Sequence, residues 1–367
     1  MIRYKYFNNT KMIKISTRQQ KIIAIVLKKE GSQSSGVHAE LINLGEDISL
    51  VTVKRVLAKM VTEGFLVSVG SGRGTSYHVS AVGRIFAEVD AHEYCSIEPD
   101  KRYGLSRYNF GLLLALPSDI FTDNELKILN DATAEFEQRT KNSPHAIQKK
   151  ELERLIIELS WKSSKIEGNT YTLLDTEKLI LENKEAPGHD KKEARMILNH
   201  KDAFTFIREH TVQFKTITRK NLEELHSILV KDLSVGLGLR KKPVGVIGSM
   251  YQPLDTVYQI TEAVDALGAA VDRMRTPYTK ALIALLGIGY IQPFEDGNKR
   301  TSRLMANALL LAHDCAPLSY RSIDENDYRE AMLVFYELNS IIPFKKIFIA
   351  QYVFASQNYG IQRNNIV

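Results

Sequence analysis

A chain of 367 residues, 44% hydrophobic and 25% charged, has the composition of a soluble globular protein and the length for two or three domains. Two cysteines, Cys95 and Cys315, exclude a disulfide framework or a cysteine-bound metal cluster and suit a reducing cytosol. The net charge of +6 is unevenly placed, since residues 1–90 hold 13 Lys and Arg against 7 Asp and Glu while the remainder is neutral.

Residues 1–16 are basic but lack the apolar stretch of a secretion signal, and the longest apolar run, 281–291, is too short to span a bilayer. A cytoplasmic protein with no membrane partner is expected. Over 17–30, Ile22, Ile23, Val26 and Leu27 share one helical face, with Thr17 as cap and Gly31 as stop. A second helix is expected over 35–44, and a third from a Ser49 cap to Glu63. The third has Val53, Val56, Leu57, Met60 and Val61 inside and Lys54, Arg55 and Lys59 outside. Extended runs at 65–69 and 76–79 flank Gly70-Ser71-Gly72-Arg73-Gly74-Thr75, a flexible hairpin tip.

Three helices followed by a hairpin with a basic tip resemble a winged helix-turn-helix, making 1–90 a small α+β domain. The resemblance implies DNA contact, with Lys54, Arg55 and Lys59 in the major groove and Arg73 on backbone phosphates. The alternative is a protein-interaction or spacer domain whose basic face is merely solvated.

Residues 81–107 mix a helix, 83–91, with a polar stretch containing Pro99 and Gly104, which places a connector at 91–110. A main domain follows over 111–357, with a loose tail at 358–367. Leu112 to Leu116 is expected to pack on that domain, and Pro117-Ser118-Asp119 to open a helix through Arg139. The next helix, 145–167, buries Leu152, Leu155, Ile156 and Leu159. Its end, Ser163-Ser164-Lys165-Ile166-Glu167-Gly168, sets Ser163 and Glu167 one turn apart, with Gly168 suited to the left-handed closing residue. A glutamate there faces an unfavourable helix dipole.

Helices at 193–209 and 219–231 read as scaffold, with His200 and His226 as ordinary half-buried residues and no metal spacing around His189 or His313. Residues 239–253 alternate β-branched side chains around Gly248-Ser249 and read as a hairpin. Further helices are expected at 261–274, 324–338 and 344–353.

The stretch 291–303 lies between two apolar helical segments, the first apolar nearly all round and stopped by Pro293. The second begins near Asn298, and Leu304, Ala308 and Leu311 recur along it at helical spacing. Lys299, Arg300 and Arg303 crowd its opening turn, where the helix is already positive, so they repel unless an anion is expected. A phosphate resolves the conflict: Gly297 admits it to the backbone, Asn298 donates an amide hydrogen bond, and the arginines fork onto its oxygens. Asp296 would hold a magnesium ion bridging the phosphates. The alternative is a basic loop paired with surface carboxylates.

From Gln292 to Arg303 the string resembles the Fic family signature, His-x-Phe-x-(Asp or Glu)-Gly-Asn-(Gly or Lys)-Arg-x-x-Arg, at every position but the first. The resemblance covers roughly 110–350 and implies a helical domain that transfers AMP from ATP, with Mg2+, onto a hydroxyl of a protein. It implies that Phe294 anchors the loop, Asp296 binds magnesium, Gly297 and Asn298 cradle the anion, and Arg300 and Arg303 grip the phosphate tail beside Lys299. Gln292 stands where the signature has the catalytic histidine, and a neutral amide cannot take up the proton.

Residues 163–168 resemble the family's inhibitory motif, (Ser or Thr)-x-x-x-Glu-(Gly or Asn), which implies that Glu167 meets Arg303 and blocks the ATP tail. The expected hairpin corresponds to the family's flap, with Val246, Ile247, Gly248 and Met250 aligning a target segment by strand addition. The fold expected is mainly α, a Fic domain with a β-hairpin flap plus the winged-helix unit. Two functions follow. One is an autoinhibited protein AMP-transferase, impaired by Gln292, acting on another protein or on itself, as a monomer or homodimer. The other is a DNA-binding regulator whose inactive Fic domain senses nucleotide.

Overall fold

The computed structural model describes residues 15–361. At the N-terminal end lie α1 (Thr17–Lys28), β1 (Ser32–Gln33), α2 (Ser34–Asn43), α3 (Leu50–Thr62), β2 (Leu66–Val69) and β3 (Ser76–Val79). β3 is central, pairing antiparallel with β2 through Leu66↔Val79 and with β1 through Ser32↔Tyr77. Ile22, Ile23, Val26, Val53, Leu57 and Met60 form the core between helices and sheet. The cap of α1 is Ser16 and not Thr17: the Ser16 hydroxyl accepts from Gln19 N while the Gln19 side chain returns to Ser16 N, a reciprocal capping box.

The helix expected over 83–91 is two short ones, α4 (Ala81–Ile85) and α5 (Ala91–Ser96). Ser80 and Asp90 each cap a separate start, and between them Phe86 leaves the helix to meet Phe65 edge-on, ring centroids 6.4 Å apart. The expected connector is likewise a packed segment, with Tyr94 and Arg102 both buried.

The larger body begins with α6 (Leu112–Ala115) and α7 (Asp123–Asn142), the latter starting later than Pro117 suggests because Thr122 and Glu125 form its capping box. Asp119 is buried instead, accepting from Thr279 Oγ1 at 3.1 Å. Then come α8 (His145–Ile166), α9 (Leu173–Glu182), α10 (Lys191–Glu209), α11 (Arg219–Leu229), α12 (Val257–Asp272), α13 (Pro277–Ile291), α14 (Asn298–Ala312), α15 (Glu325–Leu338) and α16 (Ile342–Asn358). α16 outlasts the expected 344–353, and Tyr359 and Ile361 remain buried behind it, so the chain is still packed where a loose tail was expected; 362–367 lie outside the described residues.

α13 is the axis of this body. Every residue from Tyr278 to Ile291 except Lys280 is buried, since α12, α14 and α15 all pack on it. A Cβ on Gly287 would lie 2.4 Å from the side-chain end of Leu267 of α12, so a larger residue there would force that leucine to shift. Each fully buried Leu or Ile along α13 contributes about 1.5–3 kcal/mol, which anchors whatever follows its C-terminus. Among the described residues no helix is long and apolar enough to cross a membrane.

The hairpin expected at 239–253 does not form. The segment is an irregular loop with one tight turn, Ser249 N donating to Val246 O at 3.2 Å, and a single parallel bridge between Gln252 and Arg107. Long-range side-chain contacts override its β-branched pattern: Arg240, fully buried, donates to the carbonyls of Gln292, Lys242 and Leu254.

Candidate active site

Between α13 and α14 the chain turns within six residues. Gln292 closes α13 in the left-handed region at φ 51°, and Gly297 opens α14 at φ 78°. The Asn298 amide spans the turn with two 2.8 Å bonds, accepting from Phe294 N and donating to Phe294 O. These two bonds close the loop, a role additional to the expected donation to an anion, for which the second Nδ2 hydrogen remains. Phe294 is fully buried as expected, and its ring lies flat on His226, centroids 3.7 Å apart and planes 9° from parallel.

His226 corrects a second expectation, since it is fully buried and holds the turn, donating from Nε2 to Asp296 O at 2.9 Å. Burial lowers its pKa to about 4, against the raising effect of that bond, so the ring is neutral at physiological pH. His200 is fully buried as well, and desolvation, reinforced by Arg303 and Arg300, holds it well below its ordinary value. The helical spacing of Leu222, Leu225, His226 and Leu229 contained the signal for the first of these burials.

The two signature arginines are both buried, Arg300 at 2% and Arg303 at 0% exposure. Arg300 Nη2 reaches Asp296 Oδ2 at 3.1 Å, while the Asp296 carboxylate stays mostly in solvent. Arg303 is met by the end of α8: its Nε donates to Ser163 Oγ at 2.9 Å, and its Nη2 to Ser163 O at 2.8 Å and to Glu167 Oε1 at 2.9 Å. Tyr328 lies under the guanidinium, 5.4 Å from ring centroid to Cζ. Lys299 Nζ stands 3.6 Å from the other Glu167 oxygen.

Gly168, at φ 95°, ends α8 so that Glu167 points back at α14, and Arg329 of α15 ties down the Ile166 carbonyl at 3.0 and 2.5 Å. Burial alone would raise the Glu167 carboxyl, but Arg303 and then Lys299 override it, and the net value lies below the ordinary 4.5. The pair is thus ionised at neutral pH. A buried arginine alone would be strongly destabilising, so the carboxylate occupies a position that the fold requires some anion to fill.

Gln292 is buried, its side-chain Nε2 donating to Gly289 O at 2.6 Å and its backbone carbonyl accepting from Arg240 Nε at 2.6 Å. The amide holds backbone and has no proton-accepting nitrogen. Among the described residues no group of three or more His, Cys, Asp or Glu could hold a metal ion. A cation at Asp296 would therefore rest on one carboxylate plus ligand oxygens, the habit of magnesium with phosphates.

Of the expected loop residues, Ile247 is 99% exposed, Gly248 sits at the turn with φ 75°, and Val246 and Met250 are half-buried. Lys54, Arg55, Lys59 and Arg73 are all exposed on α3 and the β2–β3 tip, far in sequence from the turn, and Lys59 pairs with Glu63 at 3.6 Å. Sequence reading missed Arg240, which looks like one cation of a surface run, Leu239-Arg240-Lys241-Lys242, and which nothing local marks as buried.

Residues 216–310 match the model of the Fic/DOC family. The protein adenylyltransferase Fic of Nematostella vectensis is 28% identical over 174 residues, 46% of this chain and 41% of that protein. Its namesake in Drosophila willistoni is 32% identical over 156 residues, 42% of this chain and 31% of that protein. The chain spans less than half the length of these curated relatives. A solved Fic domain-containing signaling protein from Bacteroides thetaiotaomicron shares the fold, with TM-score 0.52 at 20% identity over 62% of this chain and 94% of that one.

Proposed function

We propose that this chain is a protein adenylyltransferase of the Fic type, held off by Glu167 and weakened by Gln292. One observation carries the reading: Arg303, fully buried at the positive start of α14, is neutralised by a carboxylate that another helix delivers to 2.9 Å. A helix start with two buried guanidiniums is an anion site, and Glu167 fills it in place of a phosphate. The Fic-named relatives support AMP as the group transferred.

In the reaction, the acceptor hydroxyl oxygen bonds to the α-phosphorus of ATP, the bond to the β-phosphate breaks, and pyrophosphate leaves. Asp296 would hold the magnesium ion that neutralises the phosphates. Arg300 and Arg303 orient the tail once Glu167 withdraws, and Gly297 brings the backbone amides of the helix start within reach. The hydroxyl proton needs a base, and at the entrance of the turn stands an amide. General-base help is worth on the order of 100- to 10,000-fold, so the chain as it stands binds ATP but transfers slowly. The loop at 246–250, whose base meets the turn through Arg240, aligns the acceptor segment, on another protein or on a second copy of this chain.

The exposed basic residues Lys54, Arg55, Lys59 and Arg73 favour a second reading, in which the N-terminal unit is a winged helix on DNA and the nucleotide site serves as a sensor in a cytoplasmic regulator. Radiolabelled ATP with Mg2+ separates the two. Labelling of protein by Gln292→His, strengthened by adding Glu167→Gly, supports transfer. No labelling by either variant, together with tight and salt-sensitive DNA binding that Lys54→Glu/Arg55→Glu abolishes, supports the regulator.

A further inference from the structure

Glu337, near the end of α15, is fully buried, and its carboxylate bonds to residues outside the turn at 292–298. Its carboxylate gathers groups from two distant segments. From α5 and the segment after it come Tyr94 OH at 2.7 Å and Arg102 Nη1 at 3.4 Å; from the loop come Ser249 Oγ at 2.6 Å and the Met250 amide at 3.3 Å. Arg102 closes the circuit, donating from Nη1 to Gly248 O at 2.9 Å and from Nε and Nη2 to Ile97 O and Cys95 O, both at 2.8 Å. The Glu337 backbone carbonyl also accepts from Leu105 N at 2.7 Å, and the tight approach of Gly104 permits it, since a Cβ there would lie 2.6 Å from that oxygen.

The same end of α15 grips the N-terminal unit. Ile341 N donates to Ile85 O at 3.1 Å, and Ser340 Oγ to Ala87 O at 2.7 Å, at the exit of α4. A loop with no strand of its own is thus held at its base by Arg240 and at its tip by a buried ion pair. Such a pair is a weak source of net stability and a strong source of fixed geometry, because its loss leaves an uncompensated charge.

We propose that Arg102 and Glu337 are positioning residues for acceptor binding: they clamp the 246–250 loop and make its placement depend on the segment that leads from the N-terminal unit. The acceptor role of that loop rests on the function proposed above, whereas the clamp itself does not. An extended hydroxyl-bearing peptide pairing with this loop would find its backbone groups preset, lowering the ordering cost of binding.

Amide hydrogen exchange on the full chain tests the clamp without reference to activity. Ser249→Ala and Arg102→Lys are each expected to speed exchange across 246–250 by about tenfold or more while amides of α14 keep their protection; Ser249→Thr, which keeps the hydroxyl, restores the slow exchange. Unchanged exchange at 246–250 in both folded variants overturns the proposal. So does a rise spread equally over α14, which would mark Arg102 and Ser249 as general fold supports.

In the Gln292→His/Glu167→Gly background, a library of Ser-, Thr- and Tyr-containing peptides with labelled ATP then reads the consequence. Ser249→Ala should raise peptide KM about tenfold at unchanged kcat and ATP affinity. A looser loop with undiminished labelling overturns the positioning role. A looser loop in a background that labels no peptide refutes the transfer reading and leaves the clamp standing.

Discussion

The turn at 292–298 and the loop at 239–253 meet at Arg240, and they are built by opposite means. The turn has its own internal frame, with His226 stacked beneath it: Asn298 bonds Phe294 on both sides, Gly297 supplies the left-handed residue, and α13 and α14 are anchored by their own apolar faces. The loop has no such frame and is held by other segments, at its base by the Gln292 carbonyl that its own Arg240 grips and at its tip by Arg102 and Glu337. The contrast teaches where rigidity is needed. On the function proposed above, a phosphate site works by fixed donors, so its frame is local and cooperative, whereas a surface that receives a peptide can be adjusted through the partners that hold it.

The largest effect should come from restoring a base to the rigid side. Gln292→His is expected to raise protein labelling by labelled ATP by on the order of 100-fold or more, with little change in nucleotide affinity. Equal labelling by both forms would mean that the turn is no catalytic frame, and the contrast with the loop would lose its functional meaning.

Next comes the stacked support beneath the turn. His226→Ala removes the ring against Phe294 and the bond to Asp296, and should cost about 2–3 kcal/mol in chemical denaturation. The wild-type protein should show the linked pH dependence. With a folded pKa of about 4 against an ordinary 6.5, the unfolded chain binds the extra proton between those values, so stability is fully present above about 6.5 and falls as pH drops toward 4. A shallower pH slope in His226→Ala, with the remainder due to the equally buried His200, would confirm its share, and an unaltered slope would place the effect elsewhere.

Glu167→Gly sharpens the comparison, since it frees the anion site without touching the loop. ATP with Mg2+ should bind about tenfold more tightly, and the melting temperature should fall without nucleotide and recover with it, because Arg303 is left unpaired until a phosphate arrives. Since the folded Glu167 value lies below 4.5, the stability contributed by the native pair is present above the ordinary value and is lost only as pH falls through the folded one. A melting temperature indifferent to both the variant and ATP would argue that the pair is incidental.

The smallest effect is local to the turn. Gly297→Ala must adopt φ 78° with its Cβ 3.3 Å from Val230, so about 1–2 kcal/mol should be lost. A change under 0.3 kcal/mol would show that the turn is less constrained than its hydrogen bonds suggest.

The same contrast explains what could be read from the sequence. Pro293, Gly297 and the apolar periods on either side are local signals, and they placed α13, the turn and α14 within a few residues. Ser49, Thr122 and Asp324 mark helix starts by a side-chain oxygen three residues ahead, though Thr122 was overlooked because Pro117 gave a louder but false start. The pairing of Glu167 with Arg303, 136 residues apart, was legible only through the resemblance of two motifs. The loop was misread as a hairpin because its β-branched residues suit a strand, while the groups that decide its path, Arg102 and Glu337, lie in other segments. The role of Asn298 was missed for a similar reason: an amide at a helix start suits a ligand or its own loop equally well until the backbone path is known.

The most direct test of the central claim, that the start of α14 is an anion site now filled by Glu167, is calorimetric titration of ATP with Mg2+ into Glu167→Gly and into the same variant carrying Arg303→Ala. The account predicts a saturable one-to-one heat in the first and its loss in the second, with the second variant still folded by circular dichroism. No heat in Glu167→Gly, or equal heats in both, would contradict it.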